Sequence, residues 1–137
     1  TRHSTLFPYT TLFRSYPIVA SAAMRFDARL ARMPEYFQRA LSFAEAIKSL
    51  PGVTVSPTVL QANMMHLRFA VPVQKWEYAR DHMAASERIW LGAPRKLDDK
   101  NVTEVEIYVG EGLMSLTDQE AVAAYRHLLQ LAGTGGA

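Results

Sequence analysis

Two stretches of this chain alternate apolar and polar residues with period two, and that alternation obliges it to build a sheet. Over Asn63–Val71, Met65, Leu67, Phe69 and Val71 alternate with Met64, His66, Arg68 and Ala70. Over Thr103–Val109, Val105, Ile107 and Val109 alternate with Glu104, Glu106 and Tyr108. In an extended chain, successive side chains point to opposite faces, so each stretch sends one row into a core and leaves the other outside. Two shorter apolar runs, Val53–Ser56 and Arg88–Leu91, read as further strands.

The remaining segments change to helical spacing. Pro17–Met33 places Val19, Ala22, Ala23, Phe26, Leu30 and Met33 on one face, with Arg25, Asp27, Arg29 and Arg32 on the rest. Pro34 suits the first turn of a new helix and disfavours continuation from Met33, so a bend is expected there. The second helix, Pro34–Leu50, carries Phe37, Ala40, Leu41, Ala44 and Ile47, and Pro51-Gly52 stops it. A third runs over Val73–Glu87 through Val73, Trp76, Ala79, Arg80 and Met83. Ala93–Val102 is polar and irregular, and Gly110–Gly112 is a turn. Thr117-Asp-Gln-Glu120 is a capping box, with Leu116 placed to staple onto Ala121. It opens a helix bearing Ala121, Val122, Tyr125, Leu128 and Leu129. The order α-α-β-β-α-β-β-α predicts an α+β fold: a mainly antiparallel sheet of about four strands with helices covering one face.

Composition removes several functions. With no cysteine, neither a disulfide framework nor a thiolate metal site is available. The four histidines are scattered, and none pairs with a carboxylate at ligand spacing, so no metal site is expected. No apolar run approaches the length of a membrane span, and a cytoplasmic protein is the default. The net charge of +2 invites a nucleic-acid reading, which the first fifteen residues dispose of. Thr5–Ser15, TLFPYTTLFRS, resembles a frame translation of a common short-read sequencing adapter, residue for residue, and is set aside as an artefact expected to be disordered. The first fifteen residues hold Arg2 and Arg14 and no acid, so from Tyr16 onward 13 basic and 13 acidic residues cancel. No electrostatic case for nucleic acid survives. The expected organisation is an adapter-like segment at 1–15, a connector helix at 16–33, a small domain at 34–132 and a tail at 133–137.

The wording of the chain narrows the choice. Tyr16-Pro-Ile-Val-Ala-Ser-Ala, Arg29-Leu-Ala-Arg-Met-Pro-Glu-Tyr36, Leu50-Pro-Gly-Val-Thr-Val and Gln61-Ala-Asn-Met-Met-His-Leu67 occur in that order. Ile89-Trp-Leu-Gly92, Glu106-Ile-Tyr-Val-Gly110 and Leu116-Thr-Asp-Gln-Glu120 continue the series. Together they resemble the C-terminal part of the threonine aldolase and aromatic amino acid β-eliminating lyase family, over Tyr16 to about Leu131. The resemblance implies the small domain of a fold-type-I pyridoxal-phosphate enzyme. Its reaction would be retro-aldol cleavage of a threonine-like β-hydroxy-α-amino acid to glycine and an aldehyde. It also implies a missing N-terminal domain that holds the cofactor through a lysine Schiff base, and a homodimeric or homotetrameric parent. None of Lys48, Lys75, Lys96 and Lys100 fits that lysine, so no catalytic residue is expected here and the chain alone is expected to be inactive. Two other readings stay open: the small domain of another fold-type-I enzyme, an aminotransferase or tyrosine/tryptophan lyase, and a free-standing α+β binding or dimerisation module.

In the resembling family a basic residue at the start of the Thr103–Val109 strand clasps the substrate carboxylate, because a guanidinium offers a bidentate fork. The matching position here is about Glu104, which cannot do this. Lys100, Arg95 and Lys96 in the preceding loop are the candidates instead, against the plainer reading of a solvated loop. Asn63 and His66 are candidates for a cleft or interface. The plainer readings are a backbone-capping asparagine and a hydrogen-bonded strand histidine. Trp76 and Trp90 read as core or contact anchors, and Met64-Met65 as core filler.

Overall fold

The computed structural model describes residues 7–95 and 97–134, with the backbone alone for 7–14 and 134. The chain forms two compact units, Thr1–Pro34 and Glu35–Ala137. Among its described residues the first holds the helix α1 (Phe7–Ala31), with Pro17 inside it. It starts at Phe7, so residues 7–15, expected to be disordered, are helical in backbone. Its apolar residues Ile18, Val19, Met24, Phe26 and Leu30 are exposed.

The second unit begins in the first turn of α2 (Met33–Ile47) and continues through β1 (Val53–Ser56), β2 (Met64–Phe69), α3 (Val73–Ser86), β3 (Pro94–Arg95), β4 (Thr103–Tyr108), α4 (Glu111–Met114) and α5 (Asp118–Thr134). The four strands make one sheet in the order β1-β2-β4-β3, every pair antiparallel. This is the expected α+β architecture. One strand is exchanged: Arg88–Leu91 forms none, and the edge is supplied by Pro94–Arg95 from the segment read as irregular. Proline suits an edge position, where its missing N–H breaks no ladder bond. The turn expected at Gly110–Gly112 becomes the short helix α4.

The period-two rows behave as the alternation dictates. Met65, Leu67, Phe69 and Val105 are buried, Ile107 partly so, and Thr103 joins them at the head of β4. Against them α2 packs Ala40, Phe43, Ala44 and Ile47, α3 packs Trp76, Ala79 and Met83, and α5 packs Ala121, Tyr125 and Leu128. Each large side chain so buried contributes roughly 1.5–3 kcal/mol of transfer free energy. Phe69 sits at the centre, its ring 5.6 Å from Tyr125 and 6.0 Å from Trp76. The buried stripe of α2 includes Tyr36 and Phe43, which the sequence spacing did not single out, while Phe37 and Leu41 are only partly buried.

A polar bracket ties α2 to the start of α5. Arg39 donates from Nε to the Leu113 carbonyl at 3.2 Å and from Nη2 to the Leu116 carbonyl at 2.8 Å, and pairs through Nη1 with Asp118. Ser42 also donates to Asp118, and Tyr36 donates to Glu111. The capping box forms as read. Thr117 Oγ1 accepts from Glu120 N–H at 3.2 Å, and Glu120 Oε2 accepts from Thr117 N–H at 2.8 Å.

Candidate functional site

Because helices cover one face of the sheet, the other face is where the strands display polar side chains, and register decides which of them meet. Thr54 on β1 is paired with Arg68 on β2, Arg68 with Glu104 on β4, and Glu104 with Arg95 on β3. Directly opposed residues in an antiparallel ladder project to the same side. The four therefore form one row across all four strands: hydroxyl, guanidinium, carboxylate, guanidinium. The next row is Ser56, His66 and Glu106.

Glu104 is the centre of the arrangement. Its side chain is 4% exposed, although the alternation places it on the outer row and predicts a solvated carboxylate. Arg68 Nε donates to Glu104 Oε2 at 2.7 Å, and Arg95 Nη1 stands 3.8 Å from Glu104 Oε1. A carboxylate with so little solvent contact is tolerable only when paired and hydrogen-bonded. The hydrogen bond from Arg68 pulls its pKa below the usual carboxylate value. Burial works the other way, and the charges of His66, Arg68 and Arg95 add to the lowering. The group is ionised at neutral pH and holds two guanidinium groups beside it.

The structure separates the sequence candidates. Arg95 belongs to the row and is largely exposed. Lys100 lies exposed in the turn before β4, and nothing brings it to the row. Lys96 lies outside the described residues. His66 is partly buried on β2, its Nε2 3.5 Å from Glu106 Oε2, one pair along from Glu104. Asn63 is buried and structural. Its Nδ2 donates to the Val109 carbonyl, and Val109 N–H donates back to the Asn63 carbonyl, both at 2.8 Å. Arg68 and Thr54 were missed. Their signal was present, since Arg68 lies on the polar row of an alternating strand, but register is needed to put it opposite Glu104.

No group of three or more histidine, aspartate or glutamate side chains that could hold a metal ion occurs among the described residues. None of their helices is long and apolar enough to cross a membrane. A pyridoxal-phosphate site requires a lysine amine presented to the cofactor, and the described lysines do not fit it. Lys48 is exposed and paired with Glu45 at 2.6 Å, Lys75 is half-buried on α3, and Lys100 is exposed.

The architecture is that of an α+β small domain, and known structures share it. One, from Exiguobacterium sp. 255-15, is assigned as an aromatic amino acid β-eliminating lyase/threonine aldolase. It is 28% identical to this chain with a TM-score of 0.69, over 85% of this chain and 32% of its own. Another, from Listeria monocytogenes EGD-E, is assigned as an L-allo-threonine aldolase. It gives a TM-score of 0.70 over the same shares at 24% identity, which speaks to fold alone. No family model and no curated protein matches the chain. The fold is thus one shared with threonine aldolase and β-eliminating lyase structures, consistent with a C-terminal domain of that family. The chain spans about a third of the length of either neighbour.

Proposed function

We propose that this chain is the small domain of a pyridoxal-phosphate-dependent lyase that cleaves a threonine-like β-hydroxy-α-amino acid to glycine and an aldehyde. The observation that carries the reading is the match to the lyase/threonine aldolase structure over 85% of this chain. The cofactor supplies the electron sink for the carbanion left when the Cα–Cβ bond breaks, and a partner domain N-terminal to this one holds it. The residues of this chain would bind and orient the substrate. Among Arg95, Lys96 and Lys100, Arg95 is the candidate for the substrate carboxylate, because the sheet row carries it and Glu104 flanks it. A cytoplasmic homodimeric or homotetrameric parent goes with this reading.

The test compares two proteins: the polypeptide that the source gene encodes in full, and this chain alone. Aldehyde release from threonine and a cofactor absorbance band are expected from the former and not from the latter. An active, cofactor-loaded 137-residue chain overturns the division of labour. A full-length protein that transaminates instead of cleaving overturns the lyase assignment.

A further inference from the structure

The sheet row has two flanks, and the one at β1 carries a feature independent of the lyase reading. Arg68 spends its Nε on Glu104, and among the described residues its two terminal nitrogens have no partner. The side chain is half exposed. A guanidinium fixed at one nitrogen keeps its plane and aims the remaining fork in a set direction, whereas Arg95, more exposed and 3.8 Å from the same carboxylate, is held less tightly. Beside Arg68 lies a cavity of about 410 Å³, which Thr54, Gly52, Leu97, Asp99 and Val102 also line. That size suits a small molecule. Thr54 is the register partner of Arg68, and its hydroxyl too has no partner among the described residues.

We propose that Arg68 and Thr54 form a binding site for a small oxyanion, a free carboxylate or phosphate group, with buried Glu104 as the positioning residue that aims the Arg68 fork. The chemistry follows from the parts. Two guanidinium N–H groups match two oxygens of a carboxylate or phosphate, and a hydroxyl one strand away donates a third bond. Strand spacing sets the backbones of Thr54 and Arg68 about 5 Å apart, and both side chains line the same cavity. Glu104 neutralises one of the two guanidinium charges beside it, which leaves one positive charge on the Arg68–Glu104–Arg95 row. Asp99 opposes binding from the cavity wall. Its Oδ1 accepts Asn101 N–H at 2.9 Å, which fixes it in the turn.

The experiment is a titration of the isotope-labelled 137-residue chain with sodium acetate and, separately, with inorganic phosphate, followed by amide and guanidinium NMR shifts at matched ionic strength. Saturable shifts at Thr54 and Arg68 are expected, with a dissociation constant on the order of millimolar for so small a ligand. Saturation by acetate alone identifies a carboxylate site, and saturation by phosphate alone a phosphate site. Arg68→Gln should weaken binding about tenfold or more, since it deletes a charge-assisted pair. Thr54→Val, which leaves the Arg68–Glu104 pair intact, should weaken it severalfold, and Asp99→Asn should tighten it. Glu104→Gln, which keeps an oxygen acceptor but frees the guanidinium, should weaken binding even though it removes a negative charge. The proposal fails if neither anion gives saturable shifts, if Thr54→Val leaves the constant unchanged, or if Glu104→Gln tightens binding as a bare charge effect would.

Discussion

Arg68 and Glu104 stand directly opposite each other on β2 and β4, and the guanidinium Nε donates to a carboxylate that is almost wholly buried. The hydrogen bond from Arg68, helped by the neighbouring cations, outweighs the upward push of burial and holds the Glu104 pKa below its usual value. A carboxylate whose folded pKa is depressed stabilises the fold above its ordinary range, and that stability is lost as pH falls through the folded value. Glu104→Gln should therefore cost about 1.5–3 kcal/mol at neutral pH, the range for a hydrogen bond to a charged group. The gap to the unmodified chain should close as the pH is taken below 4.5, the group's usual value. Urea unfolding at several pH values checks this. A gap that stays constant with pH would mean that Glu104 acts by packing alone.

Arg39 makes a second prediction, since it satisfies two carbonyls beside α4 and one carboxylate at the head of α5. Burial pushes the Asp118 carboxyl up, but the hydrogen bonds from Ser42 and Arg39 prevail, and its pKa is lowered on balance. Arg39→Ala removes all three contacts and leaves Asp118 with Ser42 alone. It should cost about 2 kcal/mol or more, the scale for stripping the partner from a partly buried ion pair. Asp118→Asn retains the carbonyl contacts and should cost less. If both variants shift the urea midpoint equally, the ion pair and not the carbonyl bracket holds α2 to this corner.

How much of this was legible in the sequence depends on whether the signal was local. Leu67 and Val105 alternate with polar neighbours, and their burial followed from period two alone; the capping box at Thr117 is equally local. Ile89-Trp-Leu91 has strand composition, yet Arg88 takes a left-handed backbone and the segment pairs with nothing. Pairing is a non-local fact that composition does not carry. Glu104 makes the same point for the site. Alternation correctly put it on the outer row, but its partners Arg68 and Arg95 come beside it only after the strands register. Of the two loop candidates among the described residues, Arg95 reached the row and Lys100 did not, and Arg95 did so through a two-residue strand too short for any pattern to reveal.

The capping box gives a local test. Thr117 Oγ1 accepts from Glu120 N–H, and the Thr117 backbone N–H and hydroxyl hold the Glu120 carboxyl below the usual range. Thr117→Ala should cost about 1 kcal/mol, the ordinary loss at an N-cap. The Glu120 carboxyl should move back up toward its usual pKa, since the hydroxyl bond is gone while the backbone one is free to fray. NMR titration of the Glu120 side chain reads this directly. An unchanged midpoint would show that the backbone N–H alone sets the value.

Two left-handed residues bracket the segment from Arg88 to Gly92, and they should respond to substitution in opposite directions. Arg88 follows the C-cap of α3 with φ 59°, where helices commonly place glycine, and Ile89 N–H reaches back to the Met83 carbonyl at 3.4 Å. An L side chain pays roughly 1–2 kcal/mol to sit there. The Arg88 side chain is exposed and makes no described contact that would offset this. Arg88→Gly should be neutral or stabilising by up to about 1 kcal/mol, the strain relief being partly offset by the greater backbone freedom of glycine in the unfolded chain. Gly92 has φ 90°, and a Cβ there would come 3.0 Å from Val105 Cγ1 in the core. Gly92→Ala meets both penalties at once and should cost about 1–3 kcal/mol. Urea midpoints of the two variants against the unmodified chain settle the pair. A clear loss of stability in Arg88→Gly would mean that the arginine side chain contributes a contact, and the left-handed turn would then no longer be a net cost to the fold.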